Sequence, residues 1–546
     1  MSERKYWYIL ISMIVLVAII FALPHVVTAV RTNGEGLIRI ISTDDGYYQA
    51  HVRAALLGRY GEVTNGMTGG NPAARGAAPA FFEMIAGTVF APLGLKAPQV
   101  MMILTIFVTP LILLFLASFL FILFEDRRIA LVGSGLYTLV FLSTLQKPVN
   151  MSLSLPFTIL CLLLLAYIWK KQQPLTIVIT GVLFGILPST FVWSWTFVWA
   201  VTAWLIILTF FAPHIADKRR RILSLLAVLG VAFIVAAPFL KDLFLSTGDP
   251  IFAEAALRST LVHSRSVESI PRTIILTLLI LCSLVLVHRA KWKESALFPL
   301  AALLGIFACM YQNLVHGVIL TFSSHYYPFV CLSGLLMMLW AWSIKFIPQR
   351  PQPRRAAAGF VLLLPLSVIG LASIFLLAGL YDYRSAWDII RGEYYIRNIQ
   401  HLAPAVQFLD DGYRSAVLTD KVSAHMVTTW TDDDVLFTAY VKHLLVSNQE
   451  YAERYCLTEI FDPSGPDLRW LGSEVTEDQN PLTIAQWQET FGDICKPVLK
   501  NPATFLKKYN VTFLLWNEKL RPEWKIDQRL FTQVKSGEGW SVWKVR

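Results

Sequence analysis

The chain has 546 residues, of which 55% are hydrophobic and only 15% charged, and its mean hydropathy is +0.55. Soluble proteins carry about a quarter charged residues, so an ordinary soluble enzyme, a disordered chain and a small disulfide framework are excluded and a polytopic membrane protein remains. The formal net charge of +10 is weighed first against the collection of Lys and Arg on cytoplasmic loops, which needs no nucleic-acid partner.

A bilayer core takes about 20 mostly apolar residues per helix. Apolar runs at 6–29, 98–124, 128–146, 148–169, 174–190, 191–211, 222–240, 272–288, 295–312, 326–346 and 356–380 predict about eleven transmembrane helices. The first run is too long, and lacks the small-residue cleavage site, for a simple signal peptide. Seventeen basic residues fall on the N-terminus and alternate short loops, among them Lys170, Lys171 and Lys218 to Arg221. The opposite short loops carry four: Lys147, Lys241, Arg258 and Arg265. This bias places the N-terminus in the cytoplasm of a cell inner or plasma membrane. An odd number of spans then puts the first loop, 30–97, and the tail, 381–546, on the extracytoplasmic side.

Residues 1–380 hold 28 of the 47 basic and 14 of the 37 acidic residues, whereas 381–546 carry a net charge of −4. Two domains follow from that asymmetry: a membrane domain over 1–380 and a soluble domain over 381–546. In the tail, 394–411 and Asn448–Ile460 read as helices, the second with Glu450, Glu453 and Arg454 on a polar face. Ser415–Thr419, Asn510–Trp516, Phe531–Lys535 and Trp540–Val545 read as strands from their β-branched and aromatic content, with Gly537 and Gly539 marking a turn. The fold class is therefore an α-helical polytopic membrane protein with a C-terminal extracytoplasmic α/β domain. Cys456 and Cys495 are the two cysteines of the tail, and facing an oxidising compartment they are a candidate disulfide.

The chemistry concentrates in the first loop. Ser42-Thr43-Asp44-Asp45-Gly46-Tyr47-Tyr48-Gln49-Ala50-His51 follows the first span. Two adjacent carboxylates at a membrane surface, in a domain poor in acids, are candidates for function. One reading makes them a general base or the oxygen ligands of a divalent cation, Mg or Mn. The other makes them an N-cap for a helix over 47–58. Trp193, Trp195, Trp199 and Trp204 cluster on one span, as an interfacial belt or as a platform for a sugar or lipid.

The segment ISTDDGYYQAHVRAALLGRY (41–60), placed directly after a first span, resembles the first external loop of the GT-C superfamily of membrane glycosyltransferases. The nearest version is the catalytic subunit of oligosaccharyltransferase, particularly its bacterial single-subunit forms. Residues 72–97 resemble the Pro-containing amphipathic stretch before the second helix, and 311–327 and 500–546 also resemble the superfamily. The resemblance implies transfer of a sugar or oligosaccharide from a polyprenyl phosphate or pyrophosphate carrier, on the extracytoplasmic face, to a glycan, lipid or protein acceptor. It implies that Asp45, directly before Gly46, is the base or metal ligand, with Asp44 as its partner. Tyr47, Tyr48 and His51 are then acceptor or loop residues. Two departures stand out. No Trp-Trp-Asp motif occurs in 381–546, where Thr429-Trp430-Thr431-Asp432-Asp433-Asp434 is only a shadow of it. The loop 142–154 carries no acid. Both weigh against protein N-glycosylation and favour an Asp base acting without metal.

Carrier phosphates need cationic or donor groups. The loop 241–271 offers Arg258, His263 and Arg265, with Arg272 at the mouth of the next span. Asn313 and His325, in the stretches Tyr311–Gly317 and Ser324–Pro328, are further phosphate-binding candidates. The alternatives are a lipid or sugar transporter or flippase, a polysaccharide polymerase or ligase, and a receptor. A transporter would show repeats and midspan acids, and neither is evident.

Overall fold

The computed structural model describes residues 1–31, 43–60, 81–140, 150–213, 215–248, 250–258, 261–263, 270–290, 292–320, 323–345, 399–438, 441–442, 444, 446–475 and 482–546. Within helix 43–56 the side chains of residues 43–47, Asp44, Asp45 and Tyr47 included, lie outside that description.

Seven helices among the described residues are long and apolar enough to cross a membrane, and the chain is an integral membrane protein. They lie within α1 (Glu3–Arg31), α4 (Ala97–Phe124), α6 (Asn150–Lys171), α8 (Val192–Phe211), α9 (Lys218–Thr247), α11 (Ile270–Arg289), and α12 (Glu294–Met310) with its continuation to His316. The other helices up to residue 345 are α2 (Thr43–Leu56), α3 (Phe81–Phe90), α5 (Arg127–Val140), α7 (Pro174–Ile186), α10 (Pro250–Arg258), α13 (Asn313–His316) and α14 (Tyr327–Lys345). Of the eleven expected runs, 356–380 lies outside the described residues. The 174–190 run is a 13-residue helix closed by a tight turn at Leu187–Ser189, which Pro188 enforces. Prolines 110, 156, 238 and 299 sit inside helices, as bundles of apolar helices tolerate.

The chain divides into two compact units that do not follow chain order. One comprises Met1–Ala22, Thr105–Leu243 and His263–Arg384; the other comprises Leu23–Leu104, Phe244–Val262 and Ser385–Arg546. In the first, α12 packs along α8 and α14, and α5 along α14. Gly181 and Gly185, one turn apart on α7, let the backbone of α9 approach: a Cβ there would meet Val231 and Val235 at 2.6 and 2.4 Å. Small residues at this spacing are what close helix crossings in a bilayer require.

The second unit is built on a five-stranded mixed sheet. Its strands are β1 (Ala416–Thr419), β2 (Asp434–Val435), β3 (Phe513–Asn517), β4 (Phe531–Gly537) and β5 (Trp540–Val545). Their spatial order is β2-β1-β3-β5-β4, the first three parallel and the last two antiparallel. The register pairs Leu418 with Leu514 and Leu515 with Val542. Alternate side chains feed two cores. Val417, Leu515 and Val542 join Leu402, Val406 and Met426 on one face. Leu418, Leu514 and Trp543 join Tyr451, Trp487 and Phe491 on the other. Helices cover both faces, so the tail is a layered α/β domain. Three are used below: α15 (Ser423–Trp430), α16 (Asn448–Thr458) and α17 (Ile484–Lys500). Ser447 caps α16 by accepting the Glu450 N–H, and Thr483 with Gln486 forms a full capping box on α17. Cys456 of α16 and Cys495 of α17 are joined as a disulfide with Cα atoms 5.5 Å apart. Gly539, at φ 77°, turns the hairpin between β4 and β5.

The polar face expected on Asn448–Ile460 is corrected in one respect. Glu453 and Arg454 are buried, at 3% and 0% exposure. The Arg454 guanidinium bonds the Leu436 carbonyl and Glu450, and Glu453 accepts from Lys508 and from the Tyr509 hydroxyl. Paired charges of this kind can be buried where isolated ones cannot.

Candidate functional site

The acidic pair stands in the first turn of α2, which begins at Thr43 and not at residue 47. Asp44 and Asp45 therefore lie inside the helix instead of capping it from outside. Carboxylates in a first turn are favoured by the helix dipole. Further along α2, Tyr48 and Val52 pack with Ala86 of α3 and Val100 and Met101 of α4. Gly87 makes the α2–α3 contact possible, since a Cβ there would stand 2.5 Å from both the Val52 carbonyl oxygen and the Ala55 Cβ. His51 is buried at 1% exposure, and burial pulls its imidazole down to about 4. It is neutral at physiological pH and faces the interior of the unit.

Glu83 of α3 is a residue that sequence reasoning passed over. It is 0% exposed, and neither carboxylate oxygen has a hydrogen-bond partner among the described residues. Burial pushes it up to about 8, so it carries a proton at neutral pH. The available signal was an acid inside the apolar run Phe81–Phe90.

The far end of α2 meets the tail. Arg53, eight residues after Asp45, is 6% exposed. Its Nη1 donates to the carbonyls of Thr431, at 2.8 Å, and of Asp433, and its Nη2 reaches Asp434 Oδ1 at 3.3 Å. Arg414 holds the other Asp434 oxygen at 2.7 Å. Burial lowers the Arg53 guanidinium, and the nearby Asp434 carboxylate opposes that.

The expectation that Arg258 serves a carrier phosphate is corrected. Arg258 ends α10, is 0% exposed, and donates to Asn448 Oδ1 and to the carbonyls of Val446 and Leu444. The Tyr451 ring lies 5.3 Å from its guanidinium carbon. Burial brings it down to about 10, still charged at neutral pH. The side chain is spent on holding α10 to α16, as is Glu254, which accepts the Asn448 N–H. The length of an Arg stem hides this choice from the sequence.

Arg265 lies outside the described residues, and so does the side chain of His263. In the first unit, Arg272 opens α11 with its guanidinium carbon 4.9 Å from the centre of the Tyr327 ring. The His325 imidazole lies over Trp193 at 4.5 Å, with planes 30° apart, and meets Phe191 edge-on at 5.6 Å. Trp193 and Phe191 thus both pack against the histidine ring. Beside it the Tyr326 and Thr196 hydroxyls are 2.9 Å apart. Asn313 is buried at the start of α13, where its carbonyl accepts the Gly317 N–H at 2.7 Å and Gly317 adopts φ 79°. Among the described residues, no three or more His, Cys, Asp or Glu side chains gather as a metal-ligand set.

No family model and no curated protein matches the chain. Among solved structures it is similar to the oligosaccharyltransferase of Archaeoglobus fulgidus. The form tethered to an acceptor peptide containing the NVT sequon gives 13% identity and TM-score 0.46 over 95% of this chain and 70% of that one. The apo form gives 12% identity and TM-score 0.47 over the same shares. ArnT from Cupriavidus metallidurans, bound to undecaprenyl phosphate, gives 13% identity and TM-score 0.44 over 100% of this chain and 98% of that one.

Proposed function

We propose that the chain is an integral-membrane glycosyltransferase that moves a sugar or oligosaccharide from a polyprenyl-(pyro)phosphate carrier to an acceptor on the extracytoplasmic face. The observation that carries this reading is the placement of Asp44 and Asp45. They open the helix that follows the first span, in a stretch, residues 1–380, that holds only 14 of the 37 acids, and that helix is packed into the unit that contains the tail. The loop-by-loop charge bias supports a cytoplasmic N-terminus and an extracytoplasmic tail.

In this reading Asp45 accepts the proton of the acceptor hydroxyl or amide as the new glycosidic bond forms. The bond between the sugar and the carrier phosphate breaks, and the phosphate leaves with the electron pair. Arg272 and His325, with Arg265 and Asn313, supply the charge and donors that a leaving phosphate needs.

The test is release of polyprenyl phosphate from a radiolabelled polyprenyl-phospho-sugar by the purified full-length protein, with a lipid or glycan extract as acceptor. Asp45→Asn should lower turnover at least a hundred-fold, and Arg272→Ala should raise the donor KM. Full turnover by Asp45→Asn overturns the role of Asp45. Carrier lipid that crosses the bilayer with its sugar intact identifies a flippase instead. A chelator arm, with Mg or Mn restored, decides whether a cation joins Asp45.

A further inference from the structure

The run Thr431-Asp432-Asp433-Asp434 has no part in the transfer just described, yet it is among the most buried charged stretches of the tail. Thr431, Asp433 and Asp434 are at 1%, 1% and 4% exposure. It follows the C-terminus of α15, where the last carbonyls lack helical partners and carry the negative end of the dipole. Helix α2 packs against α15, and Arg53 occupies that position. A guanidinium presents five donors in a rigid fork. Here one side chain ties together the Thr431 and Asp433 carbonyls and the Asp434 carboxylate, while Arg59 adds the Asp432 carbonyl at 3.5 Å. The run is itself fixed to the sheet: Asp434 N–H donates to the Ser415 carbonyl and Ser415 N–H to Asp433 Oδ1.

The consequence lies at the other end of α2. The helix has 14 residues, a rod ~21 Å long, and Asp45 stands ~12 Å along its axis from Arg53. A tilt of about 10° at the Arg53 end would move Asp45 by ~2 Å, and a misplacement of about 1 Å can cost a hundred-fold in rate. Gln49, Ala50, His51 and Val52 between them are all buried, so the segment transmits a displacement as a unit.

We infer that Arg53 is a positioning residue. It locks the helix that bears the acidic pair onto residues 431–434 and so makes the soluble tail a structural part of the transfer site. The inference rests on the proposed function for its kinetic consequence, but the lock itself is testable without activity.

The experiment compares the full-length wild type with Arg53→Met and Arg53→Lys by hydrogen exchange and by donor kinetics. In Arg53→Met, amides of 43–56 should exchange at least ten-fold faster while those of 448–458 stay unchanged. Its kcat should fall ten-fold or more with the donor KM within two-fold. Arg53→Lys, which keeps a donor for the carbonyls, should recover part of both. Unchanged exchange at 43–56 in Arg53→Met overturns the lock. Faster exchange with unchanged kcat overturns the positioning role. If Arg53→Met does not fold, Arg53→Lys decides: a two-fold or greater rise in exchange confined to 43–56 supports the lock and none overturns it. If the wild type transfers no sugar, the functional proposal fails, and exchange alone judges Arg53.

Discussion

Replacing Asp433 by Asn should stabilise the tail at pH 8 and leave it nearly unchanged at pH 4. The Asp433 carboxyl is buried; its Oδ1 accepts the Ser415 N–H at 2.7 Å, and Oδ2 has no hydrogen-bond partner among the described residues. Burial is the main force raising it to about 7 from its ordinary 3.8. The Asp411 and Asp434 charges add to the rise, while the Ser415 N–H and Arg53 oppose it. The folded state therefore binds this proton more tightly than the unfolded state. Below about pH 4 both states hold it and nothing is lost. As the pH rises from about 4 to 7 the unfolded state ionises first, so stability falls, and above 7 the loss is complete. A rise of roughly three units at ~1.4 kcal/mol each gives a penalty of about 4 kcal/mol at pH 8. Asn does not ionise and keeps the oxygen that accepts from Ser415. Pulse proteolysis in urea on the full-length protein in nanodiscs reads the midpoint for the tail. With a denaturant slope of about 2 kcal/mol/M, Asp433→Asn should raise that midpoint by on the order of 2 M at pH 8 and by little at pH 4. An equal shift at both pH values, or a lower midpoint at pH 8, would refute the reasoning.

Two further outcomes concern the packing of the same unit. Cys456→Ser should lower the urea midpoint of the tail by the equivalent of ~4 kcal/mol, the loop-closure value for cysteines 39 apart; the reduced wild type should fall to match it. Gly87→Ala should cost on the order of 1–3 kcal/mol, because its Cβ would collide with the Val52 carbonyl and Ala55. Faster hydrogen exchange over 81–90 checks this, and unaltered exchange would count against the close α2–α3 crossing.

The apolar spans and the strands of the tail were legible because both follow from local pattern. A run such as Ala97–Phe124 is apolar throughout, and NVTFLLW and WSVWKV carry the β-branched and aromatic content that a pleated surface takes up. The acidic pair was legible as an anomaly, two charges just after a span. The start of its helix was not: Gly46 within the first turn obscured a helix that the neighbouring packing sustains.

What the sequence determined by itself is which runs are apolar enough to cross a membrane, because hydropathy is a sum over neighbours in the chain. It could not determine which long side chains are occupied. Arg258 reads in the sequence as a cation for a carrier phosphate and Arg53 carries no signal of its own, yet their acceptors lie 188 and 378 residues further along the chain, on Val446 and Thr431. Nothing local distinguishes an arginine that awaits a phosphate from one that closes a helix terminus. Only the tertiary structure brings those carbonyls within hydrogen-bonding distance, and it thereby makes Arg53 and Arg258 the ties that hold α2 to residues 431–434 and α10 to α16.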